Sequence, residues 1–75
     1  MAVDELLKGG GPKAFSRNLR AVRAYMDMDQ YELAAKSGVD QATISQLERG
    51  HRRPQRRTVK KLATALGVDP TILEG

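Results

Sequence analysis

The chain has 75 residues, no cysteine, one histidine and three aromatics, and its 13 lysines and arginines against nine acids leave a formal charge of +4. So short a chain builds one small core with little material for an enclosed catalytic cavity, and it lacks the residues for a disulfide, a thiolate site or a histidine cluster, so no enzyme, metal or cofactor is expected. No apolar run approaches the roughly 18 to 20 residues of a membrane span, and Met1 to Leu7 is not built like a signal peptide, so we expect a soluble cytoplasmic protein with an anionic partner.

Residues 1–13 read as a flexible leader, and 14–75 as one domain. Val3, Leu6 and Leu7 supply at most one helical turn before Gly9-Gly10-Gly11-Pro12 breaks the chain. From Phe15 onward there is no strand-like alternation and no hairpin turn, only five punctuated helical stretches, which is an all-α pattern. The first helix is expected from about Ser16 to Met26, with Leu19, Val22, Arg23 and Met26 recurring on one face. Lys13, Arg17, Arg20 and Arg23 make this stretch basic, with no acid among them. Asp29 is placed to cap a second helix running through Ser37, and Gly38 to end it. Asp40 would cap a third helix, Gln41 to about Arg49, that buries Ile44 and Leu47 and stops at Gly50. Six basic residues and no acid follow from His51 to Lys61, around Pro54, where the chain bends and can present them outward. Val59, Leu62, Ala63 and Leu66 mark the inner face of a fourth helix closed by Gly67. Asp69-Pro70 starts a short fifth helix that turns Ile72 and Leu73 inward.

Two charges interrupt the apolar pattern. Arg23 lies four residues from Leu19, and Glu48 four from Ile44, so each falls on or beside the core face of its helix. The economical solution is that they pair, tying the first helix to the third. Tyr25 and Tyr31 read as partly buried packing residues, and Met26 and Met28 as core filler. His51 reads as an exposed loop residue. Asp27 and Asp29 read as capping residues, since neither has a cleft or a partner histidine for acid–base chemistry. Three aromatics are too few for single-strand binding by base stacking.

Gln30 to Arg49 forms two short helices joined by a three-residue turn containing Gly38, the layout of a helix-turn-helix. Small Ala34 lets the helices cross closely, while Leu33, Val39, Ile44 and Leu47 pin both to one core. The third helix then turns Gln41, Ala42, Ser45 and Gln46 outward, short or amide side chains suited to base edges.

This stretch resembles the phage repressor and Cro-like (XRE) helix-turn-helix family. The resemblance continues through Glu48-Arg49-Gly50, Arg53-Pro54 and Thr58-Val59 to Leu62-Ala63-Thr64-Ala65-Leu66-Gly67-Val68, covering roughly Phe15 to Leu73. It implies a compact five-helix, lambda repressor-like DNA-binding domain acting as a transcriptional regulator, with the recognition helix in the major groove. By the same resemblance, Gln41 and Ala42 match base-reading positions, Gln46 lies one turn further on that face, and Ser45 and Thr43 flank them. Gln30 matches a residue that bridges a backbone phosphate and the first recognition glutamine. Arg49, Arg52 and Arg53 match the loop that grips the phosphodiester backbone, and Arg23 and Glu48 match a buried ion pair.

Gln55-Arg56-Arg57 departs from the family, which often has an apolar residue there, and we read Arg56 and Arg57 as added phosphate affinity at some cost in stability. Ser37 replaces a frequently apolar turn residue. The expected partners are double-stranded DNA and a second copy of the chain, meeting through Val68, Ile72 and Leu73 and possibly Val3, Leu6 and Leu7, unless these residues complete the monomer core. The alternatives are an antitoxin with a protein partner, and a bridging protein-interaction module that has lost base readout. The basic block speaks against the last.

Overall fold

The computed structural model describes residues 12–75, so the expectations for residues 1–11 of the leader, including Val3, Leu6 and Leu7, lie outside the described residues, while Pro12 and Lys13, read as its end, are helical. Five helices run in chain order: α1 (Pro12–Tyr25), α2 (Gln30–Ser37), α3 (Gln41–Glu48), α4 (Arg56–Leu66) and α5 (Pro70–Glu74). The all-α, five-helix fold is the one expected.

α1 starts at Pro12, four residues before the expected Ser16. Proline is at ease in a first helical position, where its missing N–H would have had no partner. The earlier start brings Phe15 into helical register with Leu19, and both are buried. Ser16, between them in the register, is buried too, and its hydroxyl donates to the Glu48 carbonyl at 2.8 Å.

α1 ends in a Schellman turn: the Met28 N–H reaches back to Arg23 O at 3.1 Å, and the Asp27 N–H to Ala24 O at 3.0 Å. The same pair of bonds closes α3 at Gly50 and α4 at Gly67. There the left-handed residue is glycine; here it is Asp27, at φ 56°. The turn folds Met28 back into the core and leaves Met26 at 38% and Tyr25 at 85% exposure, so the expectation that these two pack inward is corrected. Tyr31, expected partly buried, is 71% exposed, because it sits two residues before Leu33, on the outer side of α2.

Asp29 caps α2 by accepting from the Glu32 N–H at 2.8 Å. Gly38, at φ 76°, makes the sharp turn into α3, a conformation costly for any residue with a β-carbon. The Ser37 hydroxyl accepts from the Val39 N–H at 3.1 Å, so the polar residue in this turn has a structural task. Asp40 stands at the N-cap of α3 without the expected side-chain hydrogen bond; only its carbonyl takes part, accepting from the Ile44 N–H at 3.0 Å. Asp69 caps α5 with two bonds, from the Thr71 N–H at 2.9 Å and the Thr71 hydroxyl at 2.8 Å. They hold its carboxyl below the ordinary carboxylate range.

The helices close a ring in which α1 packs on α3, α3 on α2, α2 on α4, α4 on α5 and α5 again on α1. Inside lie Phe15, Leu19, Leu33, Ile44, Leu47, Leu62 and Leu73, the largest fully buried side chains. Each contributes roughly 1.5–3 kcal/mol by leaving water. Asn18 Nδ2 donates to Leu73 O at 3.1 Å, fastening the last link. Leu73 is therefore core, whereas Ile72, expected inward with it, is 52% exposed.

Arg23 bridges α1 to α3. Its Nε donates to Glu48 Oε2 at 2.6 Å and its Nη2 to Glu48 Oε1 at 2.9 Å, while Nη1 donates to Met28 O at 2.8 Å. The hydrogen bond to Glu48 raises the Arg23 pKa above its ordinary value, against the opposing effect of burial.

Asp27→Gly removes a side chain from a left-handed position and an acid from a helix C-terminus, and should stabilise the domain by about 0.5–1 kcal/mol. Thermal unfolding checks this, and a lowered midpoint would contradict it. Glu48→Ala leaves the Arg23 guanidinium unpaired with its side chain only 19% exposed, and should cost about 2–4 kcal/mol, somewhat below the loss typical of a wholly buried pair. Because the charge is removed with its partner, the double variant Arg23→Met, Glu48→Leu should unfold at a higher temperature than Glu48→Ala alone.

Candidate nucleic-acid interface

α3 is eight residues long and divides cleanly by burial. Ile44, Leu47 and Glu48 face the core, Ala42 and Gln46 are exposed, and Gln41, Thr43 and Ser45 are half-buried. Positions 41, 42, 45 and 46 follow the three- and four-residue spacing of one helical face, opposite the buried one. The face therefore offers two amides, a hydroxyl and a methyl, with no charge and no large apolar group.

The first of these amides is held in place. Gln41 Nε2 donates to Gln30 Oε1 at 2.8 Å, and Gln30 Nε2 donates in turn to Glu48 Oε1 at 3.0 Å. Gln30, at the start of α2, is thus joined on one side to the ion pair and on the other to the first residue of α3. At the far end of the face, Arg52 Nη1 donates to Gln46 Oε1 at 3.3 Å, so the loop after α3 leans on the helix that precedes it.

Exposed cations follow this face along the chain. Arg49, Arg52, Arg53, Arg56 and Arg57 are exposed, as are Lys60 and Lys61. Among the described residues none of them forms an ion pair with an acid. Arg56 and Arg57 open α4 with no acid in its first turn, and the N-cap Gln55 makes no side-chain bond. Cations at a helix N-terminus oppose the helix dipole, each by about 0.3–1 kcal/mol. Together with Gln55, Lys60 and Lys61 they line an open, strongly cationic hollow. Such an arrangement is unfavourable for the protein alone and favourable beside an anion.

Lys13 joins this set, which the sequence did not single out. The start of α1 packs beside Gly50, where a β-carbon would lie 3.9 Å from Lys13 Cγ and from Ser16. The signal in the sequence was only that Lys13 belongs to a basic stretch; that α1 begins early enough to carry it to the α3–α4 loop is a tertiary fact. His51 is exposed in that loop. Among the described residues no group of three or more histidines, cysteines or acids is gathered to hold a metal ion, and no helix is long and apolar enough to cross a membrane.

Known proteins share this fold. The helix-turn-helix family HTH_3 matches residues 19–73. An HTH-type transcriptional regulator of Mycobacterium bovis is 42% identical over 52 residues, which are 69% of this chain and 20% of that protein. An HTH-type transcriptional regulator of Sinorhizobium fredii is 41% identical over 56 residues, covering 75% of this chain and 73% of the relative. This chain thus spans about a fifth of the length of the mycobacterial protein and most of the rhizobial one. Among solved structures, the restriction-modification controller protein C.AhdI of Aeromonas hydrophila superposes with a TM-score of 0.80 at 35% identity, over 83% of this chain and 94% of that one. With its two-helix motif, its outward amide face and a family match extending over both flanking helices, the chain belongs to the HTH_3 helix-turn-helix family.

Proposed function

We propose that the chain is a transcriptional regulator that binds double-stranded DNA sequence-specifically, with α3 in the major groove. The observation that carries this reading is the uncharged hydrogen-bonding face of α3, touched at its end by Arg52 and followed by exposed cations that have no acidic partner among the described residues. Bases are read by edges that donate and accept, whereas phosphates are gripped by charge, and the two kinds of residue are sorted here in that way. The transcriptional regulators among its relatives support the same reading.

In this reading Gln41, Ala42, Ser45 and Gln46 face base edges. Gln46, whose oxygen is engaged by Arg52, turns its amide protons outward. Gln30 and Thr43 flank the groove and reach phosphate. Arg49, Arg52, Arg53, Arg56 and Arg57 hold the backbone on either side, with Lys13 beside them. A single module of this kind covers only about 600–1,000 Å² of DNA, so a useful operator asks for two copies on a two-fold site. Among the described residues of the expected contact surface, Ile72 is exposed and Val68 half-buried, while Leu73 is committed to the core. Such a regulator would work in the cytoplasm, on the nucleoid.

Binding to random duplex should weaken with log salt at a slope of about −0.9 per phosphate contacted. Absence of any association at low salt would end the proposal. On the preferred site, Gln41→Ala and Gln46→Ala should each cost roughly 1–3 kcal/mol with little loss on random DNA, while Arg53→Ala should weaken both alike. Titrations of each variant against both duplexes measure the difference, and equal losses for all three would mean that the reading face is wrongly assigned.

A further inference from the structure

The hydrogen bonds that join the ion pair to the α3 face have a direction. A carboxylate only accepts, and Glu48 is a carboxylate held by Arg23. Gln30 must therefore turn its Nε2 toward Glu48 Oε1, at 3.0 Å. That choice leaves Gln30 Oε1 facing α3, and an oxygen there obliges Gln41 to turn its own Nε2 inward, at 2.8 Å. An isolated carboxamide has no such obligation, since exchanging its oxygen and nitrogen changes its shape very little. Glu48 is 4% exposed and never meets a ligand on the α3 face, yet the orientation of the first amide on that face is traced back to it.

We propose that Glu48, acting through Gln30, is a positioning residue that sets the polarity of the Gln41 amide and thereby the base that Gln41 selects. The inference rests on the DNA-binding reading above. With one Nε2 proton given to Gln30, Gln41 presents its second proton beside a free Oε1. A donor next to an acceptor complements adenine, which offers N7 as acceptor and N6 as donor. The opposite polarity would engage Oε1 and present two protons, the complement of N7 and O6 of guanine. Adenine over guanine at one base pair is thus decided by a carboxylate in the core.

Glu48→Gln removes the obligation. Its one oxygen can serve Arg23 Nε, with the nitrogen turned to Arg23 Nη2 and Gln30, or serve Arg23 Nη2 and Gln30, with the nitrogen turned to Nε, so Gln30 and Gln41 are no longer held to one polarity. Gln30→Met keeps the length of the side chain but removes the link, leaving the Gln41 amide free to adopt either polarity. Selection from random duplexes is carried out with wild type, with Gln41→Ala to locate the base pair that depends on Gln41, and with both variants. Wild type should select adenine at that base pair. The adenine-to-guanine ratio there should fall at least about fivefold in each variant, the lower bound of what one bidentate contact discriminates, while other positions keep their ranking. A smaller fall in either folded variant, with binding weakened uniformly, would make Glu48 a purely structural residue and overturn the proposal. If Glu48→Gln shows no cooperative thermal transition, Gln30→Met decides.

A wild type that selects a sequence without adenine at the Gln41-dependent position overturns the polarity assignment and leaves DNA binding standing. A wild type that selects no sequence at all is a failure of the DNA reading instead. The relay is then decided on the free protein by nuclear magnetic resonance. Couplings across hydrogen bonds should run from Gln30 Nε2 to the Glu48 carboxyl carbon and from Gln41 Nε2 to the Gln30 carboxamide carbon, and couplings in the reverse sense or none would overturn it.

Discussion

One carboxylate at the end of α3 is where three helices meet. The Glu48 side chain accepts from Arg23 of α1 and Gln30 of α2, and its main-chain carbonyl accepts from Ser16 of α1. A charge at 4% exposure would be destabilising by several kcal/mol if these partners were missing. With them, no buried side-chain nitrogen or oxygen among the described residues lacks a hydrogen bond. Apolar contacts between Leu19, Ile44 and Leu47 hold helices together but carry no direction. The bonds at Glu48 do, and they fix how far α3 can slide or turn against the rest.

The ring of helices explains why so small a domain can hold this geometry. Helices adjacent in sequence are not always adjacent in space: α1 packs on α3 and α5, and α2 on α3 and α4. Helix α3 is consequently gripped from two sides, by α1 and α2, and the ring is completed only when α5 reaches α1 through Leu73 and Asn18. α5 is short, but its position makes it a closure of the core and not an appendage.

Much of this was legible in the sequence because it is written in local chemistry. Gly38, Gly67, Asp29 and the Asp69-Pro70 pair mark helix ends by what their own atoms do, and the inward faces of α3 and α4 follow from spacing alone. The pairing of Arg23 with Glu48 could be reasoned from two charges out of place. Other features depend on the path of the chain. Tyr25 continues the α1 pattern on paper, yet the turn at Asp27 ends the helix and gives the interior to Met28. That turn uses an aspartate where the other two use glycine, so no residue announces it. The resemblance already set Gln30 beside the first glutamine of α3, but its bond to Glu48 comes only from the crossing of α2 with α3. Of the residues that the resemblance assigns to bases and phosphates, Ala42, Gln46 and the arginines are exposed and Gln30, Gln41, Thr43 and Ser45 half-buried, and the fold accounts for that without specifying a ligand.

The opening of α4 has a consequence for the energetics of the free domain. Arg56 and Arg57 occupy the electropositive end of a helix, with Lys60 and Lys61 one turn on and no acid in that first turn. Part of the folding free energy is thereby held back as self-repulsion, which dissolved salt screens over a distance of about 8–10 Å. A polyanion laid across the hollow would return that energy in addition to its own contacts, coupling occupancy to thermal stability. Salt then acts in two opposite senses on one set of side chains: it firms the empty domain and loosens the occupied one.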